Sequence, residues 1–194
     1  MTGWVIVGLG NPGPAYAATR HNIGYLVLDE LSTRMSGSWR RHRGGRADVV
    51  QGRLGQPGGP ESAGATLVRP RSFMNESGGA VQSVVAYLSV PHDRVVVVHD
   101  ELDLDFGTLR VKYGGGDNGH NGLRSLRRSL GTGDWFRVRL GVGRPPGRHD
   151  PADHVLSAFS SSERRDLPEV VTRGADAAES VVLRGLQATQ NDYH

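Results

Sequence analysis

The sequence predicts an α/β fold: a single domain with a mixed, twisted central β-sheet flanked by helices. Short, continuous apolar runs typical of buried strands alternate along the chain with segments whose apolar residues recur at helical spacing. The length of 194 residues suits one domain, and we expect residues 1–194 to form it. The connection from Leu102 to Leu109 is too short for a crossover helix, so at least one strand pair is expected to be antiparallel.

Six elements are predicted in the first half of the chain. Val5 to Gly8 is an apolar run typical of a strand buried on both faces. Four consecutive valines mark a second, central strand. A basic loop at 37–46 and a Gly/Pro-rich hairpin loop at 55–64 interrupt the pattern. The predicted elements are a strand at 5–8, a helix at about 22–36, strands at 48–54 and 65–69, a helix at 75–89 and a strand at 94–99.

The second half continues the alternation and ends in helices. A strand at 109–113 precedes a glycine run, and a short basic helix at 120–130 and an alternating strand at 136–142 follow. Asp150 and Pro151 have the residue types of a helix N-cap and a first helical position. Ser160 with Glu163 is typical of a capping box that opens the C-terminal helical region. Pro168 is expected to split or kink that region.

Composition narrows the possible chemistry. The chain has no cysteine, which excludes thiol nucleophiles, Cys-zinc sites and disulfides and fits a reducing compartment. Neither a signal peptide nor an apolar run of the roughly 18 residues that a membrane span requires is visible, so we expect a cytoplasmic protein. The net charge is +3, and the basic residues are nearly all arginine, with Lys112 the only lysine of the central region. This excess fits a generic solvated surface and an RNA-binding surface about equally well.

His21 is the strongest single candidate for a catalytic residue. Histidine has a pKa near 6.5, so it can take up a proton at neutral pH. Asp100 ends the valine strand, where α/β sheets place functional residues, and an aspartate hydrogen-bonded to an imidazole fixes the tautomer of the ring. Each residue also has a simpler interpretation, since His21 could be an ordinary histidine at a helix N-terminus and Asp100 could cap a turn. Without a cysteine or a G-x-S-x-G serine, the group that His21 deprotonates would be water, and hydrolysis would be direct.

The glycines before His21 allow a different interpretation. Gly8, Gly10 and Gly13 match the G-x-G-x-x-G pattern of dinucleotide-binding folds. Pro12 lacks an N–H where a pyrophosphate needs donors, and no strand with an acidic end follows about 20 residues later. The loop also continues to Tyr16 instead of opening a helix. These three observations argue against a nucleotide-dependent enzyme, which stays the weakest of the functions that the sequence suggests.

Three asparagine-bearing loops follow strands in this domain. Asn75 and Asn121 each lie near the start of a predicted helix, where Asn is often a plain N-cap. Together with Asn11 they could instead converge on one cleft. A neutral amide can hold a carbonyl oxygen or a peptide backbone without competing for the proton of the base.

Acidic and basic clusters are the remaining candidates. The carboxylates of Asp100, Glu101, Asp103 and Asp105 could suggest a divalent metal, but their spacing fits no Ca²⁺ loop and no H-E-x-x-H motif is present, so we expect no metal. Phosphate contacts by arginine and lysine would give salt-sensitive affinity for nucleic acid that does not depend on its sequence. No RNA-binding motif with paired aromatic residues is present. The basic residues concerned are Arg110, Lys112, Arg124, Arg127, Arg128, Arg137 and Arg139.

Taken together, the motifs resemble bacterial peptidyl-tRNA hydrolase. They are VGLGNPGPAYAATRHNIG, RPRSFMNESGGAV, VVVVHDELDLDFGTLRVKYGGGDNGHNGLRSL and FRVRLGVGRPPG, and the resemblance extends from Val5 to about Phe159. It implies a single α/β domain that hydrolyses the ester bond between peptide and tRNA in peptidyl-tRNA released prematurely from ribosomes. It implies no metal and no organic cofactor. The partner would be peptidyl-tRNA, through its 3′ CCA end and acceptor stem, and we expect a monomer that binds neither DNA nor a membrane.

The resemblance also assigns roles to individual residues. His21 is similar to the catalytic base of the family, Asp100 to the acid that holds it, and Asn11 to the amide that distinguishes N-blocked peptidyl-tRNA from free aminoacyl-tRNA. Positions similar to those that contact the tRNA 3′ end or the peptide are Tyr16, Phe73, Asn75 and Asn121, with Met74 and His120 as further cleft positions. Arg110, Lys112 and Arg139 fall where the family contacts acceptor-stem phosphate, although position 110 is often lysine there. Besides the hydrolase, the sequence leaves open a non-catalytic RNA-binding module that uses the same basic face.

Overall fold

The computed structural model describes residues 3–194 and contains one seven-stranded sheet with helices on both faces. The strands are β1 (Trp4–Gly8), β2 (Arg40–Arg41), β3 (Ala47–Gly55), β4 (Ser62–Pro70), β5 (Val95–Glu101), β6 (Leu109–Tyr113) and β7 (Phe136–Gly141). The α-helices are α1 (Ile23–Arg34), α2 (Ser77–Leu88), α3 (Asn121–Leu130), α4 (Pro151–Val155), α5 (Ser161–Arg184) and α6 (Leu186–Tyr193). Turns of 3-10 helix at Arg20–Asn22 and Met74–Glu76 precede α1 and α2. The predicted α/β class is confirmed.

The strand order β2-β3-β4-β1-β5-β7-β6 makes the sheet mixed, as predicted. Strand β1 pairs in parallel with β4 and β5, and β5 pairs in parallel with β7. The other three pairs, β2–β3, β3–β4 and β6–β7, are antiparallel. The short 102–109 connection does not join neighbours, because β7 lies between β5 and β6. The carboxyl ends of the parallel strands meet at one edge of the sheet, where open α/β sheets bind ligands.

Two hydrophobic cores lie on opposite faces of this sheet. Alternate residues of each central strand face opposite sides: Val5 and Val7 pack with α2 and α3, whereas Ile6 packs with α1 and α5. The four valines of β5 alternate in the same way and are completely buried. Helices on both faces therefore explain why these strands are continuous apolar runs rather than alternating ones.

The hairpin and the basic loop contain more strand than predicted. Strands β3 and β4 pair without interruption from Ala47 opposite Pro70 to Gly55 opposite Ser62, so the hairpin loop is only 56–61. Within the predicted basic loop, Arg40 and Arg41 form a short edge strand against β3. Both were missed because residue types depleted in strands occupy these positions: half-buried glycines in the hairpin, and exposed arginines in the edge strand β2.

The expectation that Pro168 splits the C-terminal helical region is wrong, because α5 is a single helix of 24 residues across this position. Pro168 is exposed, so its ring lies in solvent, and the carbonyl of the exposed Arg164, which loses its helical donor, can be hydrated. Burial of Val170, Ala175 and Ala178 holds the helix against the sheet. The other capping predictions are confirmed: Asp150 caps α4, with Pro151 as its first residue, and Ser160 and Glu163 form a capping box. None of the helices described for residues 3–194 is long and apolar enough to cross a bilayer.

Candidate active site

Close backbone packing brings His21 to the carboxyl edge of the sheet. A Cβ on Gly8 would lie 2.5 Å from the carbonyl oxygen of Gly24, and a Cβ on Gly24 would lie 2.5 Å from that of Val98. The start of α1 therefore rests directly on the ends of β1 and β5, and a Cβ on Gly10 would strike the ring of Tyr25. Gly8 and Gly10 therefore make room for the close approach of α1, which explains these glycines without a bound pyrophosphate. The turn that precedes α1 then presents His21 next to the end of β5.

His21 and Asp100 are in direct contact. Nδ1 of His21 lies 2.8 Å from Oδ2 of Asp100, and both side chains are largely buried. Burial alone would raise the pKa of Asp100, but the adjacent His120 and His21 hold the pKa well below its usual range. Asp100 is therefore an anion at neutral pH, and its charge favours the tautomer of His21 with the proton on Nδ1. The Nε2 lone pair of His21 is then available for a proton from a molecule in the pocket.

A second imidazole, that of His120, contacts the other oxygen of the same carboxylate. Its Nε2 lies 2.8 Å from Oδ1 of Asp100. Its Nδ1 accepts the backbone N–H groups of Gly122 at 3.1 Å and Leu123 at 3.3 Å, so the His120 side chain is the N-cap of α3. Asp100 thus lies between two histidines, and both ring nitrogens of His120 are hydrogen-bonded within the protein.

His99 is a third histidine beside this group, on β5. It is completely buried, its Nδ1 donates to the backbone carbonyl of Asp100 at 2.7 Å, and its Nε2 has no hydrogen-bond partner among the described residues. Burial lowers the pKa of His99 to about 3, helped by the neighbouring His120. His99 is therefore neutral at physiological pH and adds no charge to the site.

The amide of Asn11 has a fixed orientation. Its Oδ1 accepts the backbone N–H of Met74 at 2.7 Å, and a backbone amide can only donate, so this atom is the oxygen. Asn22 holds the backbone of Asn11 in turn, accepting its N–H at 2.8 Å and donating to its carbonyl at 2.9 Å. No hydrogen bond within residues 3–194 engages Nδ2 of Asn11. This residue therefore presents a hydrogen-bond donor at the wall of the pocket.

These side chains line one cavity of about 300 Å³, which we call the His21 pocket. Asn11, Asn75 and Asn121 all reach it, so the structure brings the three asparagine-bearing loops together. Met74 lies buried in its wall, and His120 lines it as well. The opposite wall is apolar and comes from the β5–β6 connection and α4: Leu102, Pro151, Ala152, Val155 and Leu156. The cavity combines a histidine–carboxylate pair, amide groups and an apolar wall.

Tyr16 and Phe73 lie outside the lining of this pocket but next to each other. Their rings meet edge to face with centroids 6.1 Å apart, and 53% of the Phe73 surface is exposed. Phe73 immediately precedes Met74, so this aromatic pair is near the pocket. An exposed aromatic pair offers a surface on which a base can stack.

A second cavity of about 290 Å³, the basic recess, shares Glu101 and Asn118 with the His21 pocket. It is lined by Lys112, Arg137 and Arg139. Burial, together with Arg127 and Arg139 nearby, lowers the pKa of Arg137 to about 10. Burial, with Arg139 and Arg137 nearby, also lowers the pKa of Lys112. Arg110 is opposite Arg139 in the sheet but does not line the recess. The structure therefore brings together two of the three residues expected at phosphate and leaves Arg110 to the side.

Arg20 anchors the turn that carries His21. Its guanidinium is largely buried, donates to both carboxylate oxygens of Glu163 at 3.3 and 2.8 Å, and donates to the backbone carbonyl of His154 at 3.2 Å. Its backbone N–H donates to the carbonyl of Ser157 at 3.1 Å. These contacts tie the turn to the end of α4 and the start of α5.

Several lining residues were not predicted from the sequence. Asn118, with a φ of 49°, donates to Glu101 at 2.8 Å and to Asp103 at 2.7 Å, and so shapes the wall between the two cavities. Its only sequence signal is its position between Asp117 and Gly119, residues typical of turns. The apolar wall on α4 carries no signal, because it reaches the site only through the return of the chain after β7.

One group of side chains has the donor atoms of a metal site. His21, Asp100 and His120 have ligand atoms within 4.8 Å of one another, the single such group of three found in residues 3–194. In His120, Nδ1 accepts two backbone N–H groups and Nε2 donates a proton to Asp100, so neither ring nitrogen offers a free lone pair to a metal. The expectation of a metal-independent reaction stays a prediction.

The chain is similar to known proteins over nearly its whole length. A sequence model of the family described as peptidyl-tRNA hydrolase matches residues 5–194. The peptidyl-tRNA hydrolase of Kineococcus radiotolerans is 53% identical over 98% of this chain and 96% of its own length, and that of Rhodococcus opacus is 54% identical over 98% and 97%. The crystal structure of peptidyl-tRNA hydrolase from Acinetobacter baumannii superposes with a TM-score of 0.87 at 28% identity, covering 99% of this chain and 94% of that one. The chain belongs to the peptidyl-tRNA hydrolase family.

Proposed function

We propose that this member of the peptidyl-tRNA hydrolase family cleaves the ester between peptide and tRNA by direct attack of a water molecule that His21 activates. The substrate is peptidyl-tRNA released prematurely from ribosomes, and cleavage frees the tRNA for reuse. The observation that carries the proposed mechanism is the 2.8 Å contact between His21 and Asp100 at the wall of the His21 pocket. With Nδ1 engaged by Asp100, Nε2 of His21 is left to act as the base in the pocket that would hold the ester.

The steps follow from the proton positions. His21, oriented by Asp100, takes a proton from water through Nε2, and the hydroxide attacks the ester carbonyl. The tetrahedral intermediate then expels the ribose oxygen, which receives the proton from His21. The products are a peptide with a free carboxylate and a tRNA with a free ribose hydroxyl. The side-chain amides of Asn75 and Asn121 line the pocket and can donate to the developing oxyanion.

Asn11 provides a physical reason for selecting N-blocked substrates. Its free Nδ2–H group favours an acceptor, such as the acyl carbonyl on the nitrogen of a blocked aminoacyl group. A free aminoacyl-tRNA presents an ammonium group, which is itself a donor and carries charge, so the same amide repels it. The apolar wall on α4 can cover the side chain of the esterified residue.

The remaining contacts are assigned by position. Tyr16 and Phe73 offer a stacking surface for the bases of the 3′ CCA end. The basic recess, with Lys112 and Arg139, is the place for an acceptor-stem phosphate. Peptidyl-tRNA forms on ribosomes, and this substrate supports a cytoplasmic location. The exposed large apolar side chains of residues 3–194 (Phe73, Tyr87, Tyr113 and Leu156) lie on separate segments, which supports a monomer without a membrane partner.

The experiment compares two substrates and three proteins, with a chelator present and no added nucleotide. The wild-type protein should cleave N-acetyl-aminoacyl-tRNA and leave unblocked aminoacyl-tRNA intact. His21→Ala should lose about 10²- to 10⁴-fold in turnover, the contribution of a general base, and still bind tRNA. His92→Ala, which removes a half-buried histidine that precedes β5 and does not line the pocket, is the control. Near-normal turnover by His21→Ala would refute the mechanism, and tRNA binding without cleavage by the wild type would favour a binding module.

A further inference from the structure

We propose that His120 is a positioning residue that holds the Asp100 carboxylate from the side opposite His21, and that its ring makes no hydrogen bond to the substrate. The proposal rests on the proposed function, because it concerns how the His21–Asp100 pair is kept in order. It gives His120 a role different from that of a cleft contact. The evidence is the pattern of donors and acceptors around its two ring nitrogens.

The tautomer of His120 is set by the backbone of α3. Nδ1 faces the N–H groups of Gly122 and Leu123, and both of these can only donate. Nδ1 must therefore carry the lone pair, and the single proton of a neutral ring must be on Nε2. Protonation of Nδ1 would break both capping bonds and place a proton against two N–H groups. The N-terminus of α3, with its positive dipole end, thus favours the tautomer of His120 that has its proton on Nε2.

The neutral ring directs its proton at Asp100. Nε2–H donates to Oδ1 at 2.8 Å, while Oδ2 accepts from Nδ1 of His21 at the same distance. Each carboxylate oxygen has one imidazole donor, so rotation of the Asp100 side chain would break both bonds. Because the side chain of Asp100 is only 1% exposed, water cannot replace a missing donor. His120 therefore fixes the direction from which Asp100 meets His21.

The charges around the pair make this arrangement functional. The rings of His21 and His120 lie 4.9 Å apart, so a charged His120 would oppose the uptake of a proton by His21. On β5, His99 is neutral, and Glu101 is held by Asn118 and lies 3.6 Å from Arg139. Arg137 donates to backbone carbonyls of the glycine loop. Among residues 3–194, Asp100 is then the one anion in contact with His21, and it is shared with His120.

Sharing the carboxylate weakens its hold on a protonated His21. Without the His120 donor, the full charge of Asp100 would act on His21 and stabilise its imidazolium form. The acid limb of the pH profile of kcat/KM should then move to higher pH. We expect about half a unit to one unit, less than the one to three units produced by a complete charge partner.

Two substitutions separate the two contacts of His120. In His120→Asn, the amide oxygen occupies the place of Nδ1 and can cap α3, but no donor reaches Asp100. In His120→Gln, the amide nitrogen occupies the place of Nε2 and can donate to Asp100, but the capping acceptor is removed. We expect the acid limb to move upward in His120→Asn with a lower kcat and little change in KM, and to stay in place in His120→Gln. Thermal melts should show the opposite order, with His120→Gln the less stable variant.

A merely structural role predicts a different result. If His120 only caps α3, His120→Asn will keep the wild-type pH profile. His120→Gln will then be less stable and will lose activity for that reason. If the ring binds substrate, KM will rise in both variants while the acid limb stays in place. Either result overturns the proposal. Failure of the wild-type protein to cleave N-acetyl-aminoacyl-tRNA would instead refute the proposed function, so the two failures are distinguishable.

Discussion

The His21 pocket and the basic recess share Glu101 and Asn118 as a wall, but their polar atoms are arranged in opposite ways. In the pocket, both oxygens of Asp100 and both nitrogens of His120 are hydrogen-bonded within the protein. In the recess, His99 Nε2 and Arg137 Nε are buried without a hydrogen-bond partner among the described residues. No carboxylate of residues 3–194 lies within ion-pair distance of Lys112. The Asp100–His120 pair of the pocket is internally satisfied, whereas these two buried nitrogens of the recess are not.

The difference reflects two tasks. A base needs a fixed direction, and a closed set of hydrogen bonds supplies it. A binding site for an anion instead needs donors that remain free until the ligand arrives. Three cationic side chains close together lower the pKa values of Lys112 and Arg137, since burial and mutual repulsion disfavour their charge. A phosphate in the recess would relieve that repulsion. Changes in the pocket should therefore alter chemistry and selectivity, and changes in the recess should alter affinity and its dependence on salt.

Among variants that test this division of tasks, the largest effect is expected in the pocket, for Asn11→Asp. A carboxylate still accepts the Met74 N–H but replaces the Nδ2 donor with a second acceptor, which repels an acyl carbonyl and attracts an ammonium group. A neutral hydrogen bond contributes about 0.5–1.5 kcal/mol, and repulsion by the new carboxylate adds to its loss, so kcat/KM for N-acetyl-aminoacyl-tRNA should fall about 10- to 100-fold. Cleavage of free aminoacyl-tRNA should fall less or increase. Both rates are measured with each substrate.

Asn191→Asp, at an exposed position on α6, is the matched control, because it changes the net charge equally without touching the pocket. An unchanged ratio of the two rates in Asn11→Asp would show that this amide does not select the blocked substrate.

The next effect is expected in the recess, for Lys112→Ala and Arg139→Gln. Each removes one cation that faces the recess, so KM for full-length N-acetyl-aminoacyl-tRNA should rise about tenfold, with kcat little changed. The slope of log KM against log salt should fall by about one for each phosphate that the variant no longer neutralises. A substrate truncated to the 3′-terminal nucleotides should be unaffected. Arg165→Gln, an exposed arginine on α5, is the control. Equal losses of activity on the long and the short substrate would place these residues in the chemistry and contradict the division of tasks between the two cavities.

Sequence could predict the pocket only in part. His21 and Asp100 were found because both follow buried strands of a parallel sheet, and topology brings such ends together. The positioning role proposed for His120 could not be predicted, because it depends on which ring nitrogen accepts the backbone N–H groups of α3. The α4 wall and the contacts of Arg20 depend on where the chain returns after β7. Glu101 and Asn118 are polar residues in no motif that predicts a shared wall, so the sequence did not predict the wall between the two cavities.

The smallest effect is expected outside both cavities, where Arg20 ties the His21 turn to α5. The burial of Glu163 would raise its pKa, but the Ser160 backbone N–H and Arg20 outweigh it and lower the pKa. A carboxyl whose pKa is lowered by folding stabilises the protein above its unfolded pKa, and this contribution disappears as the pH falls through the folded pKa.

Glu163→Gln should therefore lower the free energy of unfolding by about 1 kcal/mol at neutral pH, and the difference from the wild type should shrink on acidification below about pH 4. Denaturant titrations at several pH values measure it. Glu169→Gln, an exposed position on the same helix, should show no such difference. Since the anchor lies behind the pocket, activity should change less than in Asn11→Asp. A loss of kcat of tenfold or more would mean that the turn depends on α5 for the direction of His21.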